Sequence, residues 1–270
     1  MTETHPPAAD LVLAERRGGV LLLTFNRPDQ LNAWNDELEN QYFDLLRRAD
    51  DDPDVRAIVV TGAGRGFCSG ADMTALSSIG DADLEGTELP DRELPRHFPM
   101  LIRKPMIAAI NGAAAGLGLV EALYCDVRFA SKDAKLLTAF SRRGLIAEYG
   151  AAWLLPRIVG QSRALDLLLS SRIIKGEEAY QLGLVDHVSD TDVVADAVAY
   201  AEDLATWCAP EAMWTIKRQV QNAMSQSFDA AAAEADVEML AAFKRDDLAE
   251  GVRSYTQKRP PQFSGLAAVR

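Results

Sequence analysis

At 270 residues, 48% of them hydrophobic, the chain is long enough to bury a full core in one large domain or a domain with an appendage. Its 40 acidic and 28 basic residues give a formal charge of −12, which argues against nucleic acid as the principal partner and leaves a polyanionic ligand dependent on local N–H groups and a few basic side chains. No apolar run reaches the roughly 18 residues of a membrane span, and three cysteines and three histidines, all scattered, indicate neither a disulfide framework nor a metal site.

Met1 to Asp10 is polar and rich in Pro and Ala, without the basic and apolar regions of a signal peptide; a frayed start and a reducing, cytoplasmic setting are expected. Gly18 to Asn26 (GGVLLLTFN) reads as a buried strand, bounded by Gly-Gly and Arg27-Pro28. The spacing of Leu38, Tyr42, Leu45 and Leu46 predicts an amphipathic helix over 35–49. Asn35 suits its N-cap, and Asp36 and Glu37 suit the positive end of its dipole. Ala57 to Gly62 is a second strand that runs into a glycine-rich loop. The acidic stretch from Ser77 to Pro99, with two glycines and three prolines, reads as a mobile surface segment.

Pro105 to Asn111 is a third strand leading into the small-residue run GAAAGLG, Val120 to Tyr124 is helical, and Asp126 to Ser131 is a fourth strand. This rhythm predicts an α/β fold with its site on the loops that follow the strands. From about Val193 the chain turns helical and Ala-rich. A boundary is therefore expected near 190–203, with a core over 1–195 and a helical appendage over 196–270.

Two glycine-bearing segments carry the candidate chemistry: Gly62-Ala63-Gly64-Arg65-Gly66-Phe67-Cys68-Ser69-Gly70-Ala71-Asp72-Met73 and Asn111-Gly112-Ala113-Ala114-Ala115-Gly116-Leu117-Gly118. Neither is a P-loop, since the Lys-Ser/Thr pair is missing, and Gly66 falls one residue early for a dinucleotide fingerprint. Small residues let a backbone approach a ligand, and a loop entering a helix leaves N–H groups unpaired. Two such loops facing each other can bind one oxyanion; either alone is as well read as a tight turn.

The order Asn26-Arg27-Pro28…Asn32-Ala33, then GRGFCSGADM, then NGAAAGLGL…Cys125-Asp126, resembles the crotonase (enoyl-CoA hydratase/isomerase) superfamily. Ile173-Ile174…Ala179…Gly183-Leu184-Val185-Asp186 and Lys258-Arg259-Pro260-Pro261-Gln262-Phe263 extend the resemblance along most of the chain. It implies a spiral of β-β-α turns, followed by C-terminal helices that build a homotrimer or a dimer of trimers. It also implies an acyl-CoA thioester as substrate, with no further cofactor, no metal, and no nucleic-acid or membrane partner.

By the same resemblance, the N–H groups of Ser69 and Leu117 form an oxyanion hole for the thioester carbonyl, and Ser69, Gly70, Ala71 and Asp72 line the CoA path. One such donor contributes about 2.7–4 kcal/mol in the transition state. Asp72 reads equally as a turn-capping residue. Lys258 and Arg259 read either as CoA contacts or as an exposed basic tail. Cys68 adjoins the loop with no histidine partner in view and is rejected as a nucleophile.

Typical hydratases of the family use two glutamates, whose places here hold Val120 and Phe140. Glu121 is adjacent, but one helical step turns a side chain by about 100°, so it reads as structural. Gly144-Leu145-Ile146-Ala147-Glu148 instead resembles the Gly-Leu-x-x-Glu of Δ3,Δ2-enoyl-CoA isomerases, whose single base falls at Glu148. Without the resemblance, Glu148 is a helix-start acid favoured by the dipole, and Arg142 and Arg143 read either as binding a carboxylate or positioning the loop, or as a solvated or salt-bridged pair. The resemblance thus implies an isomerase using Glu148. A hydratase with relocated acid/base function, a thioester hydrolase or dehalogenase, and a non-catalytic acyl-CoA binding protein stay open beside it.

Overall fold

The structure, a computed structural model, describes residues 10–73, 77 and 91–268. The expected frayed start therefore lies outside the described residues except for Asp10, as does most of the acidic stretch expected to be mobile.

Ten described strands divide between two sheets. The larger contains β1 (Val12–Arg17), β2 (Val20–Phe25), β3 (Ala57–Gly62), β5 (Met106–Ile110), β7 (Val127–Ser131) and β10 (His187–Ser189), in that order across the sheet. All its pairings are parallel except the β1–β2 hairpin. The smaller contains β4 (Gly66–Cys68), β6 (Ala113–Ala115), β8 (Lys135–Leu137) and β9 (Ile174–Lys175). Consecutive strands alternate between the sheets: β3 then β4, β5 then β6, β7 then β8. The chain thus climbs as a spiral that adds one strand to each sheet per turn.

Helix α1 (Asp36–Asp51) follows β2 and begins as the sequence dictates, with the Asn35 side chain accepting from the Leu38 N–H at 2.9 Å. It buries Leu38, Tyr42, Phe43 and Leu46 against Phe25, Trp34 and Phe67. Helix α2 (Leu117–Leu123) is buried along its whole length. Then come α3 (Ala151–Val159), α4 (Gln161–Ser170), α5 (Gly176–Leu182) and α6 (Val193–Trp207).

Helix α6 lays Val193, Ala197, Val198, Ala201 and Ala205 on the outer face of the larger sheet, against Val20, Val59 and Ile107. Residue 196 lies inside this helix, so the sheet-bound unit runs on to Trp207, past the boundary expected from composition. Alanine-rich sequence signalled the helix and gave no hint of the surface it covers.

Helices α7 (Pro210–Ala223), α8 (Phe228–Ala242) and α9 (Asp246–Gln257) form the C-terminal region, and α8 buries no residue at all. Past α9 the chain returns to the core. Phe263 and Leu266 are buried, and Arg56 donates to the Phe263 carbonyl at 2.6 Å.

Candidate active site

The glycine loops meet because their backbones touch. Gly70 has φ +92°, and a Cβ there would lie 2.6 Å from the Ala115 carbonyl oxygen. A Cβ on Gly118 would lie 2.1 Å from the Cys68 carbonyl oxygen. Glycine at both positions lets the loop after β4 close on the start of α2. A cavity of about 50 Å³ opens there, lined by Ser69, Gly70, Ala71, Leu117, Phe140 and Glu148 among others. The chain thus brings five of its six candidate site residues to one place. Asp72 is the exception: it pairs with Arg27 at 3.0 Å and braces the loop from outside the cavity.

The hydrogen bonds correct one expectation. The Ser69 N–H donates to the Leu31 carbonyl at 3.0 Å, so it is not available to an oxyanion. Ala71 is placed differently. It forms a parallel bridge with Trp34 in which the Trp34 N–H donates to the Gly70 carbonyl and the Asp72 N–H donates to the Trp34 carbonyl. That pattern turns the Ala71 N–H away from Trp34, and no acceptor among the described residues receives it. Leu117, the first residue of α2, also has an unreceived N–H, at the positive end of the helix. Ser69 still lines the cavity, with its hydroxyl 3.4 Å from the Gln30 carbonyl.

Glu148 is the one carboxylate among the described lining residues. It is half-buried, and no hydrogen bond or ion pair engages its carboxylate among the described residues. Burial raises its pKa above the ordinary 4.5, opposed by the Arg96 guanidinium. The peptide that follows is held firmly: Tyr149 has φ +53°, and its carbonyl accepts from the Tyr124 hydroxyl at 2.6 Å.

The two places held by glutamates in typical hydratases are apolar here. Val120 is buried in α2, and Phe140 forms part of the cavity wall. Glu121 is absent from that wall. It is buried, its Oε2 has no hydrogen-bond partner among the described residues, and burial pushes its pKa well up. Burial also pushes the Cys68 thiol up to about 12, so it offers no thiolate.

Arg143 lines the cavity, a placement that the sequence left open, whereas Arg142 donates to the Ser170 carbonyl. Arg259 is engaged by Glu250 at 2.6 and 3.0 Å rather than free in a tail. Among the described residues no group of acids, cysteines and histidines could hold a metal ion, and no helix is long and apolar enough to cross a membrane.

A family model described as enoyl-CoA hydratase/isomerase matches residues 15–266. The chain is similar to the 1,2-epoxyphenylacetyl-CoA isomerase of Escherichia coli, 36% identical with 95% of this chain and 99% of that protein covered. It is likewise 36% identical to a protein of Rhodobacter capsulatus named "Probable enoyl-CoA hydratase", over 92% of this chain and 95% of that protein. Among solved structures, an enoyl-CoA hydratase from Mycobacterium tuberculosis superposes with a TM-score of 0.86 at 28% identity, covering 96% of this chain and all of that one. A match along nearly the whole chain, on a spiral of two sheets with paired glycine loops, makes this protein an enzyme of the enoyl-CoA hydratase/isomerase family in the crotonase superfamily.

Proposed function

We propose that this enzyme shifts the double bond of an enoyl-CoA, with Glu148 as its single base and the N–H groups of Ala71 and Leu117 as its oxyanion hole. The observation that carries the reading is the cavity itself: among the described residues it has one carboxylate, without a partner, and two unreceived N–H groups, with Val120 and Phe140 at the places of the usual acids. The Glu148 carboxylate takes a proton from C2 of a 3-enoyl thioester. The electron pair moves onto the thioester oxygen, giving a dienolate that rests on the two N–H groups. Glu148 then returns the proton at C4, and the double bond becomes conjugated. One base suffices because it ends the cycle as it began. The 36% identity to a protein named 1,2-epoxyphenylacetyl-CoA isomerase supports an isomerase acting on an acyl-CoA.

The test is incubation in deuterated water with a 3-enoyl-CoA and, separately, a 2-enoyl-CoA, with products followed by mass. Conversion of the first to the conjugated ester is expected, and Glu148→Gln should slow it by about 10²–10⁴-fold while sparing acyl-CoA binding. Net addition of water to the 2-enoyl ester would overturn the lone-base reading in favour of a hydratase. Binding without any turnover would favour a non-catalytic acyl-CoA protein.

The reading includes a homotrimer or dimer of trimers in a reducing, cytoplasmic setting. Three free cysteines fit that setting, and the exposed Ile216, Val220, Phe228, Val237, Phe243 and Val252 on and beside α7–α9 fit that assembly.

A further inference from the structure

A second, larger cavity of about 980 Å³ adjoins the catalytic one, and Ala71, Leu117 and Tyr149 belong to both walls. It runs between the N-terminal half of α1 and the segment 91–96. The inference takes from the proposed function only that the acyl part of a CoA thioester enters here. A groove for a plain alkyl chain is apolar, because alkyl contact strips water from charges and returns nothing. This one is not: eight of its sixteen described lining residues are charged.

Ion pairs sort those charges. Glu39, buried and hydrogen-bonded to the Trp34 indole, pairs with Arg92, and Asp44 pairs with Arg47 at 3.0 Å. Asp36, Asp91 and Glu93 are exposed, on the solvent side. Arg96 differs from all of these. Its guanidinium carbon lies 5.0 Å from the Tyr149 ring centroid, and its Nη1 donates to the Tyr149 hydroxyl at 3.3 Å. No acid pairs with it among the described residues. Stacking fixes the guanidinium while leaving most of its five donors uncommitted.

Arg96 is thus a held, half-buried cation of the larger cavity, packed on Tyr149, which belongs to both walls and follows Glu148 in the chain. In a chain with twelve more acids than bases, a cation with no acid partner among the described residues, beside an acyl path, has a specific use.

We propose that Arg96 receives a carboxylate on the acyl group, so that the preferred substrates are CoA monothioesters of short unsaturated dicarboxylic acids. Because Arg96 contacts Tyr149, the residue after Glu148, that carboxylate stands only a few carbons from the reacting centre. An acyl group ending there needs no long alkyl groove, which agrees with the charged lining beyond.

The test uses saturated esters, which bind without turning over. Dissociation constants of the full-length protein are measured for pentanedioyl and hexanedioyl mono-CoA and for pentanoyl- and hexanoyl-CoA. At least one diacid ester should bind about tenfold or more tightly than its monoacid counterpart, the scale of a charge-assisted pair. Arg96→Gln should reduce that preference below about threefold and Arg96→Lys should keep part of it, with monoacid binding reporting an intact fold.

Equal or weaker binding of both diacids by the parent protein would overturn the proposal. So would a preference that survives in Arg96→Gln, or a loss there that is as large for the monoacids, which would assign Arg96 to CoA itself. Failure of 3-enoyl-CoA turnover would sink the isomerase reading and leave these binding outcomes standing.

Discussion

Burial strengthens Glu148 as a base, and the Arg96 guanidinium holds that gain in check. A base must be deprotonated to accept the C2 proton, so activity falls on the acid side as Glu148 protonates. Arg96→Gln removes the opposing charge and should move the acid limb of kcat/KM for a monoacid 3-enoyl-CoA to higher pH; an unmoved limb would separate the two side chains. Stability follows from the same shift. A carboxyl whose pKa is raised on folding holds its proton more tightly when folded, so stability falls as pH rises from the ordinary 4.5 through the folded value. Glu148→Gln abolishes that fall. In urea titrations it should be at least as stable as the parent at pH 7, with the advantage gone below pH 4.5. A less stable Gln variant at pH 7 would mean that the carboxylate is held by favourable contacts. That Leu117, Phe140 and Glu148 share one cavity wall was legible in the sequence because they sit at motif spacings that resemble the family's. The choice between Ser69 and Ala71 was not. An amide's direction depends on the Trp34 bridge, which leaves no mark on either residue type.

At the scale of elements, α2 and the loop before it are locked by contact without side chains. Gly118→Ala would place a Cβ against the Cys68 carbonyl and push α2 off β4. Such overpacking costs about 1–3 kcal/mol, readable as a fall in Tm, with turnover lost alongside because Leu117 moves too. Tyr124→Phe probes the other end of α2. It leaves the Tyr149 carbonyl without its donor, about 1–3 kcal/mol, and frees a peptide held at positive φ next to the base. It should lower kcat more than it raises KM; equal stability and turnover would show that the hydroxyl does nothing for the turn. Strands β2, β3, β5 and β7 of the larger sheet could be read because they are largely apolar runs of five or six residues between turn signals, whereas β10 has only three residues and was not. Those of the smaller sheet have two or three residues, too few for a period to show, and the spiral was accessible only through family resemblance. Strand β1 escaped because its burial pattern is mostly exposed.

The whole molecule exposes more apolar surface on its C-terminal helices than a monomer usually leaves in water: Phe228 at 85%, Val237 at 67% and Tyr255 at 86%. Sedimentation equilibrium should give three or six times the 29.4 kDa chain mass, and Phe228→Asp with Val237→Asp should lower it. A monomer at micromolar concentration would show that these helices meet nothing of their own kind. The spiral has a further effect on how this molecule can change over time. Because the proposed oxyanion donors at 71 and 117 are amides, any residue but proline supplies them, and substitution there leaves the electrophile's anchorage intact. Only a backbone edit, such as an ester in place of the amide, would erase one. In the proposed reaction the chemistry is instead set by side chains: Phe140 and Glu148, on the connection after β8, line the cavity, and Val120 is buried in α2 beside it. Lineages can therefore exchange one chemistry for another by single codons while the anchorage, having no codon of its own, drifts free of selection on residue type.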